Sequence, residues 1–354
     1  MIPNPLTPTL DQLRRCTIAV DLGAARTRVY LRNSGLVVDE PSVAAVDIRT
    51  GALIAVGARA ETMAGRTPDH IRVARPVAGG AVVDIDMAQR MLRHVLGDKL
   101  GRRWLRLSLL RGMPVMRAAV CMPHGAEPIA RRAAMETLYG LGARRVEMVD
   151  TLIAAAVGCG LPVEYPEATM VVVCGAGTTQ VAVLSLGSIV AAETVPVGGD
   201  AIDRAVVEHL RHRHELLLPS QSVRPLHQVL GGPGTGGTTT TKVHGRDVVS
   251  GMPRTVLVET EAVRQAMRTP LTSVLDAITS VLRRCEPDLV ADLGDRGIML
   301  AGGSAHMPGL DLMLRRATGM PVHIAPHPDT VAVCGLGAMI EGQVRAMSLE
   351  ALAV

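Results

Sequence analysis

The sequence predicts an α/β fold built from two similar halves, each with a sheet that helices cover. The first observation is a strand-turn-strand pattern that occurs twice, at Thr17–Leu31 and Thr169–Leu186. Each copy is an apolar β-branched run, a small-residue turn with Gly and Thr, and an alternating run, which is typical of a hairpin. The second observation is that strand and helix patterns alternate along the rest of the chain, which favours sheets under helices.

In the first half, the hairpin is followed by segments with strand or helix spacing. Helical spacing is clearest in Asp86–Leu100, where Met87, Met91 and Val95 fall on one face. The other predicted elements are strands within Gly35–Asp47 and at Ala52–Val56 and Met116–Met122, and helices at Ala58–Gly65 and Pro128–Leu141.

The second half repeats this plan after its own hairpin. A Gly- and Thr-rich tract, Gly231–Lys242, predicts a mobile loop. The remaining predicted elements are a strand near Ser188–Pro196, a helix at Asp200–His214, a strand pair within Val243–Thr260, a helix at Glu261–Arg284, a strand, turn and helix within Gly297–Leu314, a strand at Pro321–Ala325 and a helix from about Asp329 to Met347.

The composition indicates a folded protein and excludes several classes of function. The 354 residues suffice for two domains, and the formal net charge of +4 is too small and too dispersed for a nucleic-acid-binding surface. The six cysteines form no CxxC pair, so neither a zinc site nor a disulfide framework is indicated, and a reducing cytosol fits. Prolines and early charges at the N-terminus are unlike a signal peptide.

The segment Met170–Ala192 carries no charged residue and is long enough to raise the question of a membrane span. Its centre, however, holds the turn CGAGTTQ. Because a Gly- and Thr-rich break between two short β-rich runs is typical of a buried hairpin, we expect a hairpin here and no span.

A third glycine turn lies at Leu300–Leu310, where a strand pattern ends and a helix pattern begins. Backbone amides in such turns can approach an anion or a ring closely, because glycine has no side chain in the way. A single turn of this kind has a purely steric explanation. Three of them, each after a buried strand, predict a nucleotide cleft between the two halves.

Several segments resemble a known family, the actin-like cell-shape proteins of bacteria called MreB and its paralogue Mbl. The resemblance runs from about Cys16 to Glu341. It is carried by IAVDLGAARTRVY, VVDEPSVAAVD, GRTPDHIRVARPVAGG, VAVLSLGSIVAAETVPVGGDAIDRAV and DRGIMLAGGSAHMPGLDLML. EPSV followed by GRTPDHI is specific to this family within the wider superfamily of actin, Hsp70 and sugar kinases.

The resemblance implies the actin-like ATPase fold, in which two ribonuclease-H-like domains flank a nucleotide cleft and each carries a smaller outer subdomain. Domain I is then expected at residues 1–152 and 320–354, with its outer subdomain at about 33–77. Domain II is expected at residues 153–319, with its outer subdomain at about 191–259.

The resemblance also implies a site for ATP or ADP with Mg²⁺. The acid of the first phosphate motif, Asp21, is expected to hold Mg²⁺ through water. The residues expected to bind the cofactor are Asp21, Gly23, Ala24, Ala25, Arg26 and Thr27 in the first phosphate motif, Gly175, Ala176, Gly177, Thr178 and Thr179 in the second, and Gly302, Gly303 and Ser304 in the adenosine motif.

The chain departs from the family pattern at positions that serve ATP hydrolysis. The family's second phosphate motif reads VDIGGGTTE, whereas this chain has VVCGAGTTQ, so that Val173 and Gln180 replace acids. Ala130 stands where the family has its water-activating glutamate. Since a positioned general base contributes about 10²–10⁴ in rate, we expect weak or absent hydrolysis and assign no catalytic residue.

Further departures surround the expected nucleotide. Ala24 and Arg26 replace the usual Thr and Asn, and Asp150–Leu152 matches an EEP segment of the family. Near the nucleoside, Arg224 or Pro225 stands at the position of an acid and His227 at the position of a base.

The function implied by the resemblance is head-to-tail assembly into filaments at the inner face of the cell membrane, organising cell-wall synthesis and cell shape. With hydrolysis lost, an Mbl-like paralogue is expected that forms long-lived filaments or coassembles with an active paralogue. Its partners would be copies of itself, the membrane surface and cell-wall synthesis proteins, and its location would be cytoplasmic and membrane-peripheral.

The alternatives are a non-polymerising regulatory pseudo-ATPase, and a sugar-kinase or chaperone-type ATPase of the same superfamily. If Val173 is only a core residue and Asp21 only a turn acid, no nucleotide binds.

A membrane contact is expected within Gly101–Gly112, at Trp104 and Leu105. Apolar and basic side chains occur together there, which suits a surface of anionic lipid with Trp at headgroup depth. The alternative is a strand or loop whose leucines enter the core and whose arginines are solvated.

Overall fold

The computed structural model describes residues 8–100, 116–163, 165–219, 223 and 240–344. The strands are β1 (Ile18–Leu22), β2 (Arg26–Leu31), β3 (Gly35–Pro41), β4 (Ala44–Asp47), β5 (Leu53–Val56), β6 (Ile71–Ala74), β7 (Val77–Ala78), β8 (Ala81–Val82), β9 (Arg117–Met122), β10 (Arg145–Asp150), β11 (Thr169–Cys174), β12 (Thr179–Ser185), β13 (Ser188–Val195), β14 (Leu216–Leu217), β15 (Thr240–Asp247), β16 (Pro253–Glu259), β17 (Ile298–Ala301) and β18 (Val322–Ile324). The helices are α1 (Leu10–Leu13), α2 (Gly57–Met63), α3 (Ile85–Leu100), α4 (Pro128–Gly140), α5 (Thr151–Gly158), α6 (Gly199–His214), α7 (Thr260–Arg283), α8 (Pro287–Arg296), α9 (Leu310–Thr318) and α10 (Val331–Glu341). The α/β class predicted from the sequence is confirmed.

Two five-stranded sheets with the same strand order form the centre of the molecule. In the first, β3, β2 and β1 form an antiparallel meander that continues into the parallel strands β9 and β10. In the second, β13, β12 and β11 form the meander, and β17 and β18 are the parallel strands. The duplicated hairpin of the sequence is therefore part of a duplicated sheet topology.

Each meander is followed along the chain by a smaller antiparallel sheet of three strands. The first has the order β5, β4, β6 and the second the order β14, β15, β16. These strands fall within the ranges expected for the outer subdomains, 33–77 and 191–259. The limits of the domains themselves stay a prediction.

Residues 170–185 of the uncharged segment Met170–Ala192 form a buried hairpin, as the sequence predicted, and the exposed residues 186–188 lead into β13. Every residue of β11 and β12 is buried. Because both faces of these strands are covered, no position requires a polar side chain, and the alternation of a half-exposed strand is missing. Within the part of the chain that the structure describes, no helix has the length and apolarity that a membrane crossing requires.

A hydrophobic core rich in alanine joins the two central sheets. It contains Ala19 from the first sheet and Ala182 from the second, both fully buried. The helices α5 and α10 contribute to the same core and pack against each other through Gly158 and Gly335. A Cβ on either glycine would lie 1.9 Å from a carbonyl oxygen of the opposite helix, so this close approach requires glycine.

The structure differs from the predicted elements in several places. The loop prediction was wrong for Thr240–Lys242, which belong to β15 and pair with β16, because threonine also suits an antiparallel strand. Residues 231–239 of the predicted loop lie outside the described residues. The helices α1, α5 and α8 and the strands β10 and β14 were not predicted. Helix α10 ends at Glu341, earlier than predicted, because Gly342 has a φ of 75° and terminates it.

Candidate functional site

A cavity of about 580 Å³ lies where the ends of the two central sheets meet. The turn of each hairpin and the turn after β17 contribute to its wall. Its size is that of an ordinary ligand pocket, roughly 300–1,000 Å³. The predicted site residues that line it are Asp21, Gly23, Ala24, Ala25, Arg26, Gly175, Ala176, Gly177, Thr178, Gly302, Gly303 and Ser304.

The two remaining predicted residues, Thr27 and Thr179, are not part of the described lining and lie beneath the turns. The Oγ1 of Thr27 is 2.8 Å from the Oγ of Ser42, which donates to the carbonyl oxygen of Gly23 at 2.6 Å. The Oγ1 of Thr179 donates to the carbonyl oxygen of Val197 at 2.7 Å. Thr27 therefore supports the first turn from the buried side, whereas Thr179 joins the second hairpin to the segment after β13.

The two hairpin turns close in the same way. The N–H of Gly23 donates to the carbonyl of Arg26 at 3.1 Å, and the N–H of Gly175 donates to that of Thr178 at 2.9 Å. No backbone acceptor among the described residues takes the N–H groups inside these turns, those of Ala24, Ala25, Ala176 and Gly177. Successive free amides of this kind form an anion-binding concavity.

The third turn is held against the second. Gly302 has a φ of 86°, and a Cβ there would lie 2.2 Å from the carbonyl oxygen of Cys174. The Oγ of Ser304 donates to the carbonyl oxygen of Gly175 at 2.9 Å. The glycine therefore permits a backbone approach that a side chain would block, and the serine keeps the two turns in register.

Charged side chains gather around Asp21. Burial raises the pKa of the Asp21 carboxyl, an effect that Asp39 reinforces and that the Arg28 charge opposes. Arg28 is 7% exposed, and its Nη1 lies 3.9 Å from Asp21 Oδ2. Its Nη2 donates to Asp329 Oδ2 at 3.2 Å. The pKa of the Asp329 carboxyl is lowered overall. Burial acts to raise it, whereas the charges of Arg28 and His306 act to lower it.

The residues around Asp21 do not form a fitting Mg²⁺ site. Magnesium prefers carboxylate, phosphate and water oxygens in octahedral geometry. Among the described residues, no group of three or more His, Cys, Asp or Glu side chains is placed to hold a metal ion by protein ligands alone, so Mg²⁺ would depend on Asp21, phosphate and water. A dication at Asp21 would also face the neighbouring Arg28 charge, which repels it. Mg²⁺ at Asp21 remains a prediction from the resemblance.

The positions that lack the expected acids carry uncharged side chains. Val173, 7% exposed, and Gln180, 4% exposed, both line the cavity. The N–H of His124 donates to the Oε1 of Gln180 at 2.8 Å, and its Nδ1 lies 2.7 Å from Asp150 Oδ2. Ala130 lies in the first turn of α4, outside the described lining.

Several residues of the wall were missed by sequence reasoning. Arg28 could have been predicted from the sequence. Alternate residues of a strand share a face, and Arg26, two positions earlier, was already assigned to the site. Gly79 lies close to Gly177, because a Cβ added to Gly177 would lie 3.1 Å from the Gly79 backbone. No pattern in the sequence predicted this contact. The wall residues not assigned from the sequence include Arg28, Gly80, Pro123, Gly199, Asp203, His306 and Asp329. The predicted positions Trp104, Leu105, Arg224, Pro225 and His227 lie outside the described residues.

Comparison with known proteins identifies relatives along nearly the whole chain. The family model for MreB/Mbl protein matches residues 15–348. The cell shape-determining protein MreB of Escherichia coli K12 is 35% identical over 329 residues, covering 92% of this chain and 93% of the relative. The cell shape-determining protein Mbl of Bacillus subtilis 168 is 32% identical over 325 residues, covering 92% of this chain and 95% of the relative.

Solved structures share the fold. The crystal structure of MreB5 of Spiroplasma citri bound to AMPPNP has a TM-score of 0.82 at 25% identity and covers 92% of this chain and 96% of that chain. The MamK double helical filament has a TM-score of 0.74 at 20% identity, covers 92% and 98%, and shows the fold alone. The actin-like fold is thereby confirmed, and the chain belongs to the MreB/Mbl family.

Proposed function

We propose that this protein is the subunit of an actin-like cytoskeletal filament that binds ATP or ADP in the cavity and hydrolyses ATP weakly or not at all. The observation that carries the proposal is the convergence of three glycine turns on one cavity at the junction of two sheets of equal topology. Family membership supports it, as do the names of the relatives, which are cell shape-determining proteins.

Nucleotide binding is supported by the turn amides and by the neighbouring structures. The MreB5 structures of Spiroplasma citri contain AMPPNP in one case and ADP in the other. In this chain the free amides of the two hairpin turns would hold the phosphates, because they point several N–H donors at one anion. The turn at Gly302–Ser304 would lie against the adenosine. Mg²⁺ at Asp21 is left out of the proposal because the Arg28 charge lies beside that carboxylate.

Weak hydrolysis is supported by the positions at which the acids of the family pattern are replaced. A general base must lie within hydrogen-bond reach of the water that it activates. Val173 contributes an apolar wall in place of an acid, and Ala130 has no group that takes up a proton. Gln180 can orient a water molecule, but its carboxamide does not act as a base at neutral pH. A bound ATP would therefore persist, and the filaments would turn over slowly.

The cellular part of the proposal follows the family. The filament would lie at the inner face of the cell membrane, organise cell-wall synthesis, and assemble either alone or together with an active paralogue. Its domains would be residues 1–152 with 320–354, and residues 153–319. Trp104 and Leu105 would supply the membrane contact.

A combined assembly assay tests the function. Purified full-length protein is incubated with ATP or AMPPNP, sedimented at high speed, and assayed for released phosphate. We expect polymer in the pellet with either nucleotide and phosphate release near the uncatalysed background. Protein that binds nucleotide but never sediments, alone or with a related MreB, favours the non-polymerising regulatory pseudo-ATPase. Rapid phosphate release contradicts the assignment of the missing acids.

A vesicle assay tests the membrane contact separately. Filaments are floated with vesicles that contain anionic lipid, using the wild type, the double variant Trp104→Ser and Leu105→Ser, and the control Leu257→Ser. Leu257 is 59% exposed on β16 and has no assigned membrane role. We expect only the double variant to lose flotation. Equal flotation of all three proteins excludes this segment as the anchor.

A further inference from the structure

The Arg28 guanidinium lies beside Asp21, the carboxylate that the resemblance expects to hold Mg²⁺ through water. Arg28 lies on β2 and lines the cavity, and its side chain is buried apart from 9%. The carboxylates of Asp21, Asp39 and Asp329 lie 3.9, 3.1 and 3.2 Å from its nitrogens. Because arginine stays protonated at any physiological pH, Arg28 keeps a fixed positive charge among these three carboxylates.

Arg28 has hydrogen-bonding capacity that the described residues leave unused. A guanidinium has five N–H donors in a planar fork. Within the described chain, Arg28 makes one hydrogen bond of good geometry, to Asp329. Its buried Nε is 3.1 Å from Asp39, within ion-pair distance, yet has no hydrogen-bond partner there in suitable geometry. Phosphate oxygens are the acceptors that such a fork matches best.

The second phosphate motif adds no negative charge to the wall. Gln180 stands where a carboxylate would repel phosphate. The Oε1 of Gln180 accepts a hydrogen bond from the backbone N–H of His124. Because a backbone N–H can only donate, the carboxamide oxygen must face His124. The NH₂ group is then the part left to face the cavity, and it makes no other hydrogen bond among the described residues. Val173 adds no charge.

We propose that nucleotide binds this cavity without Mg²⁺, with Arg28 supplying the positive charge at Asp21 and at the phosphates. The inference rests on the proposed binding of ATP or ADP and goes beyond it by removing the metal from the site. A Mg²⁺ ion bound at Asp21 would lie close to the guanidinium, so adding the ion strengthens binding little.

Isothermal titration of the wild-type protein tests the proposal directly. ATP is titrated once in excess EDTA and once in excess MgCl₂. We expect the two dissociation constants to agree within about twofold. The loss of one charged contact would change the dissociation constant by about tenfold. Binding that is about tenfold or more tighter with MgCl₂ overturns the inference and leaves the proposed nucleotide binding intact. Absence of ATP binding in both buffers refutes the nucleotide binding itself.

Variants at Arg28 test which group replaces the metal. In EDTA, Arg28→Gln is expected to weaken ATP binding by about tenfold or more. MgCl₂ should then restore affinity, because Asp21 is freed. The control Arg254→Gln removes a charge from β16, where Arg254 pairs with Asp247 and is not part of the described cavity lining. It should stay indifferent to MgCl₂. Arg28→Lys, which keeps the charge, should keep most of the metal-free affinity.

Circular dichroism and thermal unfolding establish that each variant is folded before its affinity is compared. If Arg28→Gln does not fold, the wild-type comparison and Arg28→Lys decide the question. A folded Arg28→Gln with unchanged affinity in EDTA overturns the role of Arg28.

Discussion

Substitution of Gly302 by alanine tests how the third turn forms the cavity. Gly302 has φ 86° and ψ 163°, a conformation that is populated essentially by glycine alone. An added Cβ would lie 2.2 Å from the carbonyl oxygen of Cys174. Real Cβ contacts essentially never fall below 3.0 Å, so the turn or strand β11 must move by at least 0.8 Å, the difference between these two distances.

Two costs add in this variant. The backbone strain is about 1–3 kcal/mol, and overpacking against a fixed carbonyl is about 1–3 kcal/mol, so Gly302→Ala should lower the free energy of unfolding by about 2–6 kcal/mol. The shift also pulls Ser304 away from Gly175, whose 2.9 Å hydrogen bond joins the second and third turns. Nucleotide affinity should therefore fall even under conditions where the variant remains folded.

The adjacent glycine supplies a matched control. A Cβ on Gly303 meets no atom within 4 Å, and its φ is not in the left-handed region. Gly303→Ala should leave stability unchanged or raise it by about 0.4–1 kcal/mol. Urea unfolding and titration calorimetry are measured on both variants. The account of the third turn is refuted if the two unfolding free energies agree within about 0.5 kcal/mol.

Three further predictions concern the rest of the fold. Gly335→Ala places a Cβ 1.9 Å from the facing helix and should lower the free energy of unfolding in urea by about 1–3 kcal/mol. The control Gly294→Ala, at an exposed position where a Cβ meets no atom within 4 Å, should not lower it. Equal effects of the two substitutions would contradict the packing of α5 on α10. His124→Ala removes the 2.7 Å contact to the buried Asp150 carboxylate and should lose about 1.5–3 kcal/mol at neutral pH, and an unchanged unfolding midpoint would remove this pair from the account. Burial raises the pKa of the Cys174 thiol to about 11, so at neutral pH iodoacetamide should label it only in denaturant, as mass spectrometry would detect; labelling of the native protein would contradict its burial.

The parts of the fold that the sequence predicted well depend on local pattern. The hairpins at Thr17–Leu31 and Thr169–Leu186 were predicted because apolar runs and small-residue turns specify them without reference to distant residues. The third turn, at Leu300–Leu310, followed from the same rule. The loop assigned to Thr240–Lys242 failed for a related reason, because threonine suits both loops and exposed strands and only pairing with β16 decides between them.

The electrostatics of the site could not be predicted in this way. Arg28 and Asp329 form their contact across 301 positions of the chain, and no local pattern links them. The orientation of two threonine side chains likewise depends on tertiary packing. Thr27 and Thr179 belong to the motifs, but their hydroxyls form hydrogen bonds with Ser42 and Val197 and do not line the cavity. Motif residues thus located the cavity, whereas the charges and hydroxyl orientations that decide its chemistry required the fold.

Sedimentation with simultaneous phosphate measurement tests the central claim most directly. Full-length protein is spun in the presence of ATP, and the pelleted protein and the released phosphate are measured in the same sample over time. The account predicts polymer that accumulates and persists while phosphate release stays near background. Protein that stays in the supernatant at every concentration tested, or polymer that forms and disassembles with rapid phosphate release, would contradict it.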